Sequence, residues 1–358
     1  MTSLFLVYEQ MSPQLVIGKP LLPSHSQLVS DEEQQHYWTA LMKDWNVRWK
    51  TPSFPGCNPR SISRETLPLL KEHDYSITLK SDGVRYVLYC TTRPGSTTKE
   101  PLPVALMIDR SRNMYEVDVI AQEDVFLKRT ILEGELVWRQ PQEKDLVFLV
   151  FDCVLVRGES FLSQPFSKRL EEVHRCTRLS DELSRLPDVE QLVADTDNIV
   201  MMQFQPSVIM RPKTFVEIDN AQRLWDGREG VEHRVDGIIL QRNDSTYTLG
   251  TASAGESFKW KEKSTVDLTG PDAQAADGRL PESYFGRRVF LSPDSKIQAE
   301  SAEDVIEYLI TVTDTAVVLF GLRRRVDKDR ANGLKVVKAT IKDVMDQIRP
   351  DELGGLRC

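Results

Sequence analysis

The sequence predicts an α+β protein with two domains, a large one built mainly on antiparallel sheet and a smaller β-rich one behind it. Two observations carry this. Runs rich in β-branched and aromatic residues, broken by polar or glycine-containing turns, dominate the chain, and helical periodicity appears only in short stretches between them. A polar segment at 268–282, LTGPDAQAADGRLPE, has no apolar period and carries Pro and Gly, which marks a linker. The length of 358 residues, 40% hydrophobic and 28% charged, suits one large and one small core.

Along the chain, Ser30 followed by Asp31, Glu32 and Glu33 reads as a capping box that opens a helix, with Tyr37, Leu41 and Trp45 at fourfold spacing. The run PGCNP at 55–59 is turn-forming, and 64–71 reads as a short helix. Strands are expected over 75–79, 86–89, 104–108, 114–119, 131–138 and 146–156. Helical periodicity returns at 168–174 and, interrupted by Pro187, at 183–193, before strands at 208–210 and 237–241. The expected division is therefore 1–267, a linker at 268–282 and a small domain at 283–358. That last part offers strands at 288–291, 306–311 and 316–322 and a closing helix at about 331–348, which suits a small oligonucleotide-binding (OB) type of barrel.

A net charge of −8 argues against a protein that coats nucleic acid through bulk electrostatics, so any nucleic acid must meet a local basic site. Cys57, Cys90, Cys153, Cys176 and Cys358 are scattered and never in CxxC spacing, which suggests neither a disulfide framework nor a zinc site and fits a reducing compartment. The apolar run at residues 4–8 is too short for a signal peptide, and no stretch approaches the roughly 20 apolar residues that span a bilayer. No membrane association is expected.

Four segments carry chemistry. In Lys80-Ser81-Asp82-Gly83-Val84-Arg85 a lysine ends one strand and an arginine begins the next across a glycine-containing turn. A free lysine amine is only about one part in a thousand neutral near pH 7.4, so a nucleophilic Lys80 needs desolvation or nearby cations. The plain alternative is a solvated lysine at a strand–turn–strand corner. In Phe258-Lys259-Trp260-Lys261 the alternation sends both lysines to one face, where they suit a phosphate; an amphipathic edge strand is the competing reading. Glu133, Glu135, Asp152 and Asp236 each interrupt apolar strand-like runs, and hard oxygen donors of this kind suit Mg²⁺ or Mn²⁺ or, alternatively, a buried cation. Finally, Arg323-Arg324-Arg325-Val326-Asp327-Lys328 packs guanidinium forks suited to phosphate oxygens at a strand end, with a bare RNA-binding surface or a solvated cluster as alternatives.

Taken in order, these segments resemble the covalent nucleotidyltransferases, the superfamily of mRNA guanylyltransferases and polynucleotide ligases. Lys80-Ser81-Asp82-Gly83 matches the nucleophile motif, 131–137 the DGEL-type segment, 148–156 the YDxx-type strand, 235–240 the DGLIF segment, 258–268 the LKWKP…TVDF segment, and 323–328 the RxRxDK motif. PGCNPRSISR before the nucleophile and Met107-Ile108-Asp109-Arg110 resemble the capping branch, with particular likeness to the chlorella virus and metazoan capping enzymes. The resemblance implies a nucleotidyltransferase domain with an OB-fold domain behind it. It implies that Lys80 is guanylated, that Arg85 and Glu135 hold the ribose, and that Phe151 stacks on guanine. Asp236, with Glu135, would place Mg²⁺ or Mn²⁺. Lys259 and Lys261 would meet the α-phosphate of GTP; Arg325, Asp327 and Lys328 would orient pyrophosphate. Where the family has a base-reading lysine before proline, this chain has Arg211-Pro212-Lys213, so guanine recognition shifts to Arg211 or Lys213. Glu133 and Leu268 stand where aspartate and phenylalanine are common.

The reaction so implied is GTP plus Lys80 giving lysine–GMP and pyrophosphate, then transfer of GMP to 5′-diphosphate RNA. An ATP-dependent ligase and a catalytically silent RNA-end binding subunit are the alternatives. RNA triphosphatase and cap methyltransferase activities are expected from separate partners, alongside RNA polymerase. The nucleus is the expected location if the protein is cellular, and the host-cell compartment if it is viral.

Overall fold

The computed structural model describes residues 27–48, 54–95, 102–117, 119–121, 123–139, 146–177, 200–202, 208–295, 297–325, 328 and 330–354. Among them the chain divides into two compact units, one of residues 27–262 with 348–354 and one of residues 263–347. In the first, the strands that position the site are β1 (Tyr75–Ser81), β2 (Val84–Thr92), β3 (Thr130–Trp138), β4 (Leu146–Val156), β5 (Val208–Pro212), β6 (Val235–Arg242) and β7 (Ser257–Lys261).

Two sheets share that unit. In the larger, Pro103–Asp109, β2, β3 and β4 lie side by side and antiparallel, and β5 joins β4 in parallel. In the smaller, the order is Val216–Glu217, β1, β6, β7 and Arg60–Ser61, with only the last pair parallel. The α+β, mainly antiparallel expectation is met. β1 and β2 are consecutive in sequence yet belong to different sheets, so the two-residue turn Asp82-Gly83 is the point where the chain passes from one sheet to the other.

Each sheet is covered by apolar residues drawn from distant parts of the chain. Tyr37, Leu41 and Trp45 from the helix Asp31–Asp44 and its end are buried against Val87, Tyr89, Leu106 and Ile108 of the larger sheet. Ser30 stands at the N-cap as expected, but the two side-chain-to-backbone bonds of a capping box are not made; its hydroxyl donates instead to the Glu33 carboxylate at 2.9 Å. On the smaller sheet, Ile77, Leu79, Ile238, Leu240, Phe258 and Trp260 form a core with Trp225, Ile348 and Leu353. The segment 64–71 is a turn leading into the 3₁₀ helix Leu67–Lys71, because Pro68 stands in its first turn and the Ser63 and Thr66 hydroxyls satisfy backbone and side-chain groups of each other. The expected helix at 183–193 lies outside the described residues.

The second unit is a curved sheet in the order Thr265–Thr269, Val305–Val312, Ala316–Arg324, Arg287–Leu291, Ser283–Tyr284, covered by the helix Leu334–Asp346. The segment expected as a linker is not an open one. Its first residues belong to the edge strand, Leu268, Ala273 and Ala275 are buried in the core of this unit, and Thr269 exchanges backbone bonds with Gln274. The change of unit falls instead at Glu262–Lys263. The chain end also differs from expectation. Residues 348–354 belong to the first unit, where the Trp260 indole N–H donates to the Ile348 carbonyl at 2.7 Å and Arg64 makes a two-pronged bond to Glu352.

Candidate active site

β6 lies between β1 and β7, and its Gly237 is the ladder partner of Lys80 on one side and of Lys261 on the other. Ladder partners point to the same face, so the two lysines flank a residue without a side chain. Nothing larger fits there: a Cβ on Gly237 would stand 2.0 Å from the Trp260 carbonyl oxygen. The register slips by one residue between Val235 and Gly237, which leaves Asp236 as the extra residue of a bulge. A bulge re-aims the side chain it carries. Here it brings the Asp236 carboxylate to both ammoniums, with Oδ1 accepting from Lys80 Nζ at 2.6 Å and Oδ2 at 2.8 Å from Lys261 Nζ. Burial alone would raise the Asp236 pKa, but Lys80 and Lys261 outweigh it and hold the carboxyl below its ordinary value. Lys259, two residues before Lys261 and on the same half-buried face, pairs with Ile239. Phe258 and Trp260 point the other way into the core, so the alternation is observed.

Arg85 opens β2 and is buried. Its guanidinium donates to Glu133 Oε1 and, at 2.7 Å, to the Cys57 carbonyl, and lies 5.5 Å from the Phe54 ring centroid and 5.3 Å from that of Phe151. The Tyr247 hydroxyl donates to the other Glu133 oxygen and accepts from the Cys57 backbone N–H at 3.2 Å. Desolvation pushes the Glu133 carboxyl up, against the pull of Arg85. Glu135, two residues on and half-buried, is also pushed up by desolvation while Lys213, Lys80, Arg85 and Arg110 pull it down, and its carboxylate makes no hydrogen bond to the described residues. Asp152 takes no part: both of its oxygens accept from Arg169, at 2.7 and 3.1 Å, inside the core.

Lys213 follows β5, its backbone N–H bonded to the Val150 carbonyl at 2.7 Å, and its side chain is buried. Desolvation, reinforced by Lys80, lowers its pKa to about 8, against the opposing charges of Glu135 and Asp236. Lys213 Nζ donates to Ser81 Oγ at 2.9 Å, and Ser81 Oγ lies 2.9 Å from His233 Nε2. Arg211 is turned to Glu232 at 3.5 Å. In the second unit, Arg325 Nη1 meets Asp267 Oδ1 at 3.0 Å, Lys328 Nζ meets the other oxygen, and Asp267 is buried. Asp327 lies outside the described residues.

The structure thus brings Lys80, Glu135, Lys213, Asp236 and Lys261 together, places Arg85 beside Phe151, and holds Arg325 and Lys328 on Asp267 within their own unit. Sequence reasoning missed Ser81, His233 and Tyr247. His233 stands three residues before Asp236, and only the fold shows that it meets a residue 152 positions away. No group of three or more His, Cys, Asp or Glu suited to a metal occurs among the described residues.

An antiparallel-sheet unit with a strand-end lysine, a paired aspartate and further lysines on the same sheet face has the makings of a nucleotidyltransferase. The chain belongs to the family described as mRNA capping enzyme, catalytic domain, whose model matches residues 25–263. It is similar to the mRNA-capping enzyme subunit alpha of Schizosaccharomyces pombe, 26% identical over 332 residues, covering 84% of this chain and 79% of that protein. It is also similar to the mRNA-capping enzyme of Caenorhabditis elegans, 22% identical over 344 residues, covering 89% of this chain and 51% of that one. This chain therefore spans about half of the nematode enzyme. Among solved structures, mycobacterial DNA ligase D complexed with ATP and MES shares 14% identity at a TM-score of 0.38, covering 77% of this chain and 96% of that one; at that score the likeness decides nothing about substrate.

Proposed function

We propose that this chain is a GTP:RNA guanylyltransferase. Lys80 Nζ attacks the α-phosphorus of GTP, forming an N–P bond as the bond to pyrophosphate breaks and the amine gives up a proton. A terminal oxygen of 5′-diphosphate RNA then attacks the same phosphorus, the N–P bond breaks, the lysine regains a proton, and GpppN-capped RNA leaves. The observation that carries this reading is the sharing of one carboxylate, Asp236, between Lys80 and Lys261. It fixes the nucleophile at the sheet corner and sets a second cation beside it for the α-phosphate.

In this reading Arg85 and Glu135 hold the ribose, Phe151 stacks on guanine, Lys213 with Arg211 reads the base, and Lys259 acts with Lys261. Arg325, Asp327 and Lys328 act on the departing pyrophosphate, and the second unit is an OB-fold domain. Asp236 and Glu135 would hold a divalent ion such as Mg²⁺ or Mn²⁺. Two carboxylates fit such an ion when phosphates and water complete its shell, and it would neutralise phosphate charge there. RNA triphosphatase, cap methyltransferase and RNA polymerase are partners by function, and the nucleus is the place of work in a cell.

The test is incubation with labelled GTP or ATP and Mg²⁺, followed by a search for an adduct labile in acid and stable in alkali. The wild type labels with GTP in preference to ATP, and Lys80→Ala and Lys80→Arg fold but do not label. Labelling of either variant, or better labelling with ATP, overturns the assignment.

A further inference from the structure

The Lys213–Ser81–His233 chain has a direction that the chemistry of its members sets. An ammonium only donates, so Ser81 Oγ accepts from Lys213. That leaves the Ser81 hydroxyl proton to be placed, in a residue that is almost wholly buried. His233 Nε2, at 2.9 Å, is its partner, and it accepts only if that nitrogen carries no proton. With Nε2 protonated, Ser81 would accept twice and its own proton would be buried without a partner. Burial and the Lys213 charge, against Glu232, hold the His233 pKa down to about 4, in keeping with a neutral ring.

We propose that His233 is a positioning residue for nucleotide recognition: as a neutral acceptor at Nε2 it orients the Ser81 hydroxyl, and through it fixes the Lys213 ammonium in the site beside Lys80. The proposal rests on the reading of Lys213 as a base-reading residue. His233 lies on the stretch that leads into the Asp236 bulge, so one segment orders both the lysine that receives the nucleotide and the one that recognises it.

The test has two arms. ¹⁵N NMR of histidine-labelled protein, with the signal assigned by its loss in His233→Gln, reads the tautomer directly. A non-protonated Nε2 whose resonance moves in Ser81→Ala is expected; a protonated Nε2, or no response to Ser81→Ala, overturns the proposal. This arm needs no activity, so it stands apart from any failure of the guanylyltransferase reading, which would show as a wild type that does not label with GTP. In the labelling arm, His233→Leu removes the acceptor and raises the KM for GTP about tenfold with little change in kcat, the size expected for one buried hydrogen bond. His233→Gln, whose amide oxygen can accept from Ser81, stays within about twofold. The double variant Ser81→Ala/His233→Leu is no worse than Ser81→Ala alone. Equal losses in the Leu and Gln variants, or additive losses in the double variant, would return His233 to a packing role.

Discussion

Lys213→Met exchanges the buried ammonium for an apolar chain of similar length, and its effect on stability can be worked from the structure. Folding lowers the Lys213 pKa from 10.5 to about 8, chiefly by desolvation. A depression of that size corresponds to roughly 3 kcal/mol at about 1.4 kcal/mol per pKa unit. The sign follows from proton counting. Between the two values the unfolded chain binds more protons than the folded one, so wild-type stability rises with pH across that window. Below pH 8 the folded state carries the full penalty of the buried charge. Lys213→Met removes it and loses the bond to Ser81, which costs on the order of 1 kcal/mol. The variant is then more stable than wild type by about 2 kcal/mol near pH 7, and the advantage disappears as pH approaches 10.5. Urea unfolding at pH 7 and pH 10, followed by tryptophan fluorescence, measures both. GTP labelling should fall at the same time, since the stabilised protein has lost the cation proposed to read the base. A variant less stable than wild type at pH 7 would refute the reasoning, showing that Lys213 gains more from Glu135 and Asp236 than it loses to burial.

Arg169→Met leaves Asp152 as a buried charge without its counterion, which should cost about 3–5 kcal/mol and show as a large fall in thermal midpoint; the double variant Asp152→Asn/Arg169→Met should recover part of the loss. Tyr247→Phe removes the hydroxyl that joins Glu133 to the Cys57 backbone and should cost roughly 1–3 kcal/mol, read in the same melt. Chelation by EDTA should abolish GTP labelling and Mg²⁺ or Mn²⁺ restore it, with Asp236→Asn needing more metal than wild type for half-maximal labelling. A metal requirement unchanged in that variant would remove Asp236 from the set of metal-holding residues.

The parts of the site that could be read from the sequence are those with a local signature. Lys259 and Lys261 show in the alternation of one strand, Lys80 in a strand-ending turn, and Asp236 as a charge inside an apolar run. What stayed hidden depends on pairing between distant residues. The bulge that brings Asp236 to Lys80 is a property of the β1–β6 ladder, whose members lie 156 residues apart at this contact. The supposed linker misled for a physical reason. A segment without apolar period can still be ordered when its backbone groups have partners, and here Thr269 pairs with Gln274 and Ala276 donates to Asn332. The chain end misled for another, because the helix period that stops at Asp346 says nothing about where Ile348 and Leu353 will be buried.

Glu133 and Glu135 show the limit of pattern reading most sharply. Two residues apart on β3, they share a face, and register alone would match Arg85 with Glu135, its ladder partner. The guanidinium goes instead to Glu133, the diagonal neighbour, which is fully buried and held on its other oxygen by Tyr247. Glutamate is one methylene longer than the aspartate common at that position, and this carboxylate serves both partners at once. Both terminal nitrogens of Arg85 are thereby bonded within the protein, its Nε staying buried without a partner, while the Glu135 carboxylate, with no hydrogen bond to the described residues, faces the charges of Lys80 and Lys213. Of two acids that look alike in sequence, the first fixes an arginine, and the second keeps its carboxylate for the ribose or metal role proposed for it. Shortening the first should therefore act on the fold as well as on binding: Glu133→Asp should lower the thermal midpoint and loosen Arg85, whereas Glu135→Gln should leave the midpoint nearly unchanged and weaken GTP labelling. A reversal of these two patterns would exchange the roles.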